Sequence, residues 1–338
     1  MRRVTPLLAA CALSAAAGAA TLGLLEAAVR VLAPQNLQPP SVSRYGILYA
    51  KPSYTTTRHR SPRFDVEYRT NRHGFRGGDY DFPKPAGVKR VLLLGDSFTW
   101  GWGVADGKTY GDLLEARLGS GGRGVQVVNL GLVGMGLSIQ EYLYRRLGTL
   151  FTPDAVVVAF ISNDLDYDFF QRKEDSQTSA QDVVERVEAG RSLVRRVPAY
   201  AWLCQHSHLF ALLRLRVSAL VLDAGREHLD AAHKVKGDVE RRARQQKEGV
   251  KTFDALIDHV CGRGASVVVL DIDDYLSRFT EVAAHLRARA QAAPRCLRLA
   301  RVETDGQDVF GPEDPHWNES GHAKAAAAAA RELGSLLR

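Results

Sequence analysis

Residues 89–99 read Lys89-Arg90-Val91-Leu92-Leu93-Leu94-Gly95-Asp96-Ser97-Phe98-Thr99. Four apolar residues in a row, closed by a glycine, are too few for a helix core and do not alternate. An unbroken apolar run of this length suits a strand that is covered on both faces, as in a parallel sheet. Val125 to Leu130, which includes Gln126 and Asn129, reads as another strand, and two more apolar runs follow at Ala155 to Ile161 and Ser266 to Leu270. A fifth strand is expected at Cys296 to Ala300. Helical patterns separate them at Thr109–Leu118, Ile139–Leu147, Val250–Cys261 and Phe279–Ala292, and Gly321–Leu337 closes the chain. Strands alternating with helices predict an α/β, flavodoxin-like three-layer sandwich with a five-stranded parallel sheet of order 2-1-3-4-5.

Residues 165–245 interrupt this alternation. They hold charged helical stretches, an apolar patch at Leu209 to Leu222 and a charged run at Glu240 to Lys247, read together as a helical insertion. Before the sheet, residues 34–88 read as a basic linker with short strands, among them Phe64 to Tyr68, whose apolar and polar residues alternate. The sheet domain is expected over residues 89–338. The run Ala325 to Ala330 needs no explanation beyond the helix propensity of alanine.

The whole chain has 338 residues and a net charge of +7. The excess is local. Residues 1–90 hold 14 Lys and Arg against 5 Asp and Glu, and the remainder holds 31 against 33. A nucleic-acid enzyme would carry its basic stripe on the folded domain, so no nucleic-acid partner is expected. The arginines at 58, 60, 63, 69, 72 and 76 are candidates for contact with anionic lipid or an acidic glycan, against the plainer reading of a solvated face.

Arg2 and Arg3 precede Leu7 to Leu25, nineteen uncharged residues. That is long enough to cross a bilayer core as a helix, and the flanking arginines predict a cytoplasmic N-terminus. A cleaved signal peptide would use Ala17-Gly18-Ala19. An uncleaved anchor over residues 1–33 is favoured, because the helical pattern runs on through Arg30 and stops only near Pro34. The stretch Leu8 to Cys11 also has the look of a lipoprotein box, with too few residues before it. An anchor places the protein in the inner membrane as a single-pass chain with its body extracytoplasmic. In that oxidising setting a Cys261–Cys296 disulfide is possible, since a helix end and a strand start can meet at one sheet edge; free thiols are the alternative.

In a doubly wound sheet, ligands bind beyond the carboxyl ends of the strands. The residues there are distinctive. The first strand runs into Ser97, placed either as an exposed nucleophile or as a helix N-cap. The second ends in Gly131-Leu132-Val133-Gly134-Met135-Gly136, able to bring backbone N–H groups to a ligand or to form a plain turn. The third ends in Ser162-Asn163-Asp164, where the Asn163 amide can meet an oxyanion or close the strand as an Asx turn. Near the C-terminus, Gly311, Pro312 and Pro315 forbid a helix, so His316 is expected on a loop with Glu313 and Asp314 just upstream. A histidine beside an acid is a ready general base.

These four blocks, in this order, resemble the SGNH/GDSL hydrolase superfamily. The resemblance spans about residues 70–338 without the insertion. The anchor, the lead-in from Asn71 to Arg76 and the insertion are similar to membrane-anchored bacterial members, which often act on acylated carbohydrate or lipid. The resemblance implies a serine hydrolase of O-acyl esters with Ser97 as nucleophile, His316 as base, Asp314 or Glu313 as the acid, and an oxyanion hole of Ser97, Gly134 and Asn163. The family acid commonly stands three residues before the histidine, which is Glu313 here; the Asp-Pro-His form favours Asp314. An O-acetyltransferase of extracytoplasmic polysaccharide uses the same residues, and a non-catalytic carbohydrate-binding or assembly protein would keep the fold. No cofactor or metal is called for.

Rival motifs fail on spacing. Gly95-Asp96-Ser97-Phe98-Thr99 lacks the second glycine of an α/β-hydrolase elbow, and Gly107-Lys108-Thr109 lacks a correctly spaced upstream glycine for a P-loop. Asp271, Asp273 and Asp274 read as a capping cluster rather than an aspartyl phosphatase. Asp164, Asp166 and Asp168 lack the glycine of a calcium loop. His206 and His208 read as surface histidines rather than metal ligands.

Overall fold

The computed structural model describes residues 4–44, 47–120, 124–161, 163–165, 199–217, 220 and 238–337. Ser162, Asp166, Asp168 and most of the expected insertion lie outside these residues. The chain forms two compact units, one of residues 41–193 with 236–338 and one of residues 1–40 with 194–235.

The larger unit holds the sheet. Its strands are β5 (Lys89–Leu94), β6 (Val125–Asn129), β7 (Ala155–Phe160), β8 (Ser266–Ile272) and β9 (Leu297–Val302), in the order β6-β5-β7-β8-β9. All neighbours are parallel. This is the expected 2-1-3-4-5 order. The unbroken apolar runs are explained by the pleat: Leu92 and Leu94 enter one buried cluster, Val91 and Leu93 the other. On one face, helices Leu137–Arg146, Asp238–Cys261 and Thr280–Ala292 cover the sheet through Leu143, Phe253, Leu256 and Leu286. On the other, helices Tyr110–Gly119 and Glu319–Leu336 pack through Leu114, Ala325, Ala329 and Leu333. Each large aliphatic side chain removed from water contributes about 1.5–3 kcal/mol. The alanine run thus has a second reason: Ala325, Ala326, Ala328 and Ala329 are all buried against the sheet layer.

Two expectations shift. The charged run from Glu240 continues the helix that begins at Asp238, because an exposed polar face extends a buried apolar one. The stretch before the sheet is built of hairpins: β1 (Val42–Arg44) with β2 (Ile47–Ala50), and β3 (Thr56–Arg60) with β4 (Asp65–Arg69). The basic excess there is mostly consumed internally. Arg58 and Arg60 pair with Asp65, Arg69 and Arg76 with Asp106, and Arg72 with Asp79 and Asp81. Arg76 is fully buried and donates to the Gly101 carbonyl at 2.6 Å, so it braces the turn after Ser97 rather than meeting a lipid. Arg63 stays exposed.

Cys261 and Cys296 form a disulfide that closes the helix end onto the start of β9. In the smaller unit, the helix α1 (Val4–Leu32) includes a 25-residue segment, Leu8–Leu32, of mean hydropathy 1.9, long and apolar enough to cross a membrane.

Candidate active site

β5 lies between β6 and β7, so the residues that follow these three strands emerge side by side. Gly95 makes the first exit possible. Its φ is +154°, and a Cβ there would stand 2.1 Å from Thr99 Oγ1, so only glycine lets the chain turn this tightly into the next helix. The helix cap is Asp96, whose Oδ1 accepts the Phe98 N–H at 3.0 Å. Ser97 is therefore the first residue of the helix, not its cap, and its hydroxyl is left for other partners.

His316 is not on a loop. Val309–Gly311 (β10) and Asp314–Trp317 (β11) pair as an antiparallel hairpin, with Pro312 and Glu313 forming its turn and Pro315 within β11. Asn318 then caps the last helix, accepting from the N–H groups of Ser320 and Gly321. The hairpin holds His316 Nε2 2.8 Å from Ser97 Oγ and His316 Nδ1 2.6 Å from Asp314 Oδ1. A carboxylate only accepts, so Nδ1 carries the proton and Nε2 is free to accept from the serine. Asp314 Oδ1 also accepts the His316 backbone N–H at 3.3 Å. Glu313 points into solvent at the hairpin turn.

Asn163 follows β7. Its Nδ2 donates to Asp96 Oδ2 at 3.4 Å, and the same oxygen accepts from Ser97 Oγ at 3.3 Å. Burial pushes the Asp96 carboxyl up. Gly134 lies in the turn after β6 at φ +75°, a backbone conformation that favours glycine. Asp164, which follows Asn163, is buried and accepts from Gln140 Nε2 and from the Ile161 N–H, which fixes the end of β7 and with it Asn163.

Several site residues have no sequence signal. Trp102 stacks on His316, ring centres 5.1 Å apart at 26°, and its indole N–H donates to Asp314 Oδ2 at 3.4 Å. Phe98 lies against the same imidazole at 5.1 Å. His59, on β3, meets Trp102 edge-on at 4.3 Å. It is buried, and desolvation pushes it down to about 4. His322 is likewise buried and pushed down to about 3, with its Nδ1 accepting the Tyr110 N–H. Aromatic residues after Ser97 follow no spacing rule, and a lone histidine on a short strand looks like any other. Among the described residues no group of acidic, histidine and cysteine side chains could hold a metal ion.

The model of the family described as GDSL-like Lipase/Acylhydrolase matches residues 93–334. No curated protein matches the chain significantly. Among solved structures, TesA is 15% identical with a TM-score of 0.43, the alignment covering 73% of this chain and 99% of that one. The family 3 carbohydrate esterase of Clostridium thermocellum is 13% identical with a TM-score of 0.42, covering 74% and 98%. The psychrotrophic esterase EstA from Pseudoalteromonas sp. is 12% identical with a TM-score of 0.42, covering 74% and 98%.

Proposed function

The chain belongs to the GDSL-like lipase/acylhydrolase family, an ester-hydrolysing enzyme, and from that premise we propose that it cleaves O-acyl esters of carbohydrate or lipid through an acyl-enzyme on Ser97. The reading is carried by the line of contacts from Ser97 to His316 to Asp314, at 2.8 and 2.6 Å. His316 Nε2 takes the hydroxyl proton as Ser97 Oγ attacks the ester carbonyl. Asp314 holds the imidazole tautomer and stabilises its charged form. The Ser97 and Gly134 N–H groups and the Asn163 amide receive the oxyanion, each such donor being worth about 2.7–4 kcal/mol in the transition state. His316 then protonates the departing alcohol, the ester C–O bond breaks, and the acyl group remains on Ser97. Water, deprotonated by the same imidazole, releases it as a carboxylate. Asp314 is preferred to Glu313 because it alone of the two is bonded to the imidazole.

The substrate class rests on the resemblance to membrane-anchored bacterial members, and so does the placement. The α1 helix is read as an uncleaved inner-membrane anchor, with Arg2 and Arg3 cytoplasmic and the catalytic body extracytoplasmic. A fluorophosphonate probe and a p-nitrophenyl acetate assay test the chemistry. Wild type takes the label and turns over, whereas Ser97→Ala does neither while keeping its melting temperature. Retained hydrolysis by folded Ser97→Ala would sink the mechanism. An unlabelled wild type would point to a binding or assembly role, and an acylated sugar as main product to an acyltransferase.

A further inference from the structure

The smaller unit contains an apolar surface that ester hydrolysis does not explain. Residues 208–217 are helical, and Leu213, Val217 and Leu220 recur at i, i+4 and i+7, the spacing of one helix face. They are 55%, 59% and 70% exposed, and Leu215, on the opposite side of the helix, is 60% exposed. Trp202, on the preceding helix Tyr200–His206, is 58% exposed and stacks on His206. Single exposed apolar residues are ordinary, but a continuous stripe of them marks an interaction surface.

The surroundings of the stripe identify what covers it. Glu26 is the one acid of α1. A carboxylate within a membrane-spanning helix is costly unless its oxygens are satisfied. Here they accept from Ser207 Oγ at 2.7 Å and from the backbone N–H groups of His208 and Leu209 at 2.9 Å each. Those N–H groups belong to the first turn of the 208–217 helix and have no partner inside it. Arg30 pairs with the same carboxylate and donates to the His206 carbonyl at 2.7 Å, and the Gln35 N–H donates to His208 Nδ1 at 2.8 Å. The segment is thus pinned to the C-terminal turns of α1 and to Gln35 just beyond it, at the end of the apolar span. That is the level of the membrane–water boundary, where tryptophan concentrates and where an exposed arginine such as Arg216 can reach back to water along its stem.

We propose that residues 199–217 with Leu220 belong to a second membrane-contacting element, an interfacial helix pair whose Leu213, Val217 and Leu220 lie in the lipid leaflet that α1 leaves. This rests on the reading of α1 as an anchor. The polar Glu26 network sets the depth, and the stripe is buried about 5–10 Å into the boundary of headgroups and acyl chains.

The test uses the full chain carrying Cys11→Ser, reconstituted in vesicles of phosphatidylcholine and phosphatidylglycerol under non-reducing conditions. An environment-sensitive nitrobenzoxadiazole label is placed on a cysteine at Leu213→Cys or, in a separate sample, at Leu13→Cys within α1. Ester hydrolysis checks that both fold. The expected result is loss of emission at position 213 with a nitroxide carried high on the acyl chain, and at position 13 with one near the bilayer centre. Quenching at 13 with water-like, unquenched emission at 213 overturns the inference and leaves the anchor standing. Apolar but unquenched emission at 213 assigns the stripe to protein, a second copy or another partner, and also overturns it. Loss of quenching at both positions removes the anchor reading itself.

Discussion

The indole of Trp102 contacts two residues at once, stacking on His316 while donating its N–H to Asp314 Oδ2 at 3.4 Å. Behind it stands His59, from a hairpin that precedes the residues matched by the family model. A hydrogen bond to a charged group is worth about 1.5–3 kcal/mol. Trp102→Phe keeps the stacking and loses the donor, so kcat should fall roughly 10-fold or more by that measure. KM should stay near the wild-type value, because the lost bond orients Asp314 rather than substrate. Steady-state kinetics on a short-chain ester separates the two parameters.

The two acids before His316 should behave very differently. Asp314→Asn leaves the imidazole without the partner that holds its tautomer, and a loss in kcat of about 10⁴-fold is the scale known for such a change. Glu313 is exposed at the hairpin turn, and Glu313→Gln should retain near wild-type kcat. Equal losses in both variants, with folding unchanged, would reverse the assignment.

Acid should unfold the sheet unit through its buried histidines. His59 is pushed down to about 4 and His322 to about 3, both from 6.5 and both chiefly by desolvation. The unfolded chain binds protons first, so stability is fully present above pH 6.5 and falls as pH drops through these values. His322→Gln should flatten the fall of melting temperature below pH 6, if it folds. The milder His59→Phe variant offers a second check by the same measurement.

The disulfide between Cys261 and Cys296 closes a loop with a sequence separation of 35. A loop of that length contributes about 4 kcal/mol in the chain-entropy account. Paired serine substitutions should lower the urea midpoint without changing the Ser97 labelling rate at low denaturant, since the crosslink lies at the opposite ends of the strands from the site.

Much of the fold was legible in one dimension. Val91 to Leu94 and Ala155 to Phe160 are apolar on both faces, and a strand buried on both faces has little freedom to be anything but the middle of a covered parallel sheet. Ser97, Asn163 and His316 could be singled out because strand ends in such a sheet converge. Their residue types at those ends are chemical choices rather than packing ones.

What the sequence could not decide was contact across long separations. Ser97 and His316 are 219 positions apart, and whether Asp314 or Glu313 faces the imidazole depends on the pleat of a hairpin that reads locally as a turn. The pairing of Arg76 with Asp106, the cover of Trp102 over His316 and the closure of Cys261 onto Cys296 have the same origin. Local pattern reports which face of an element is apolar. Only the packed chain decides which polar atoms are left facing one another.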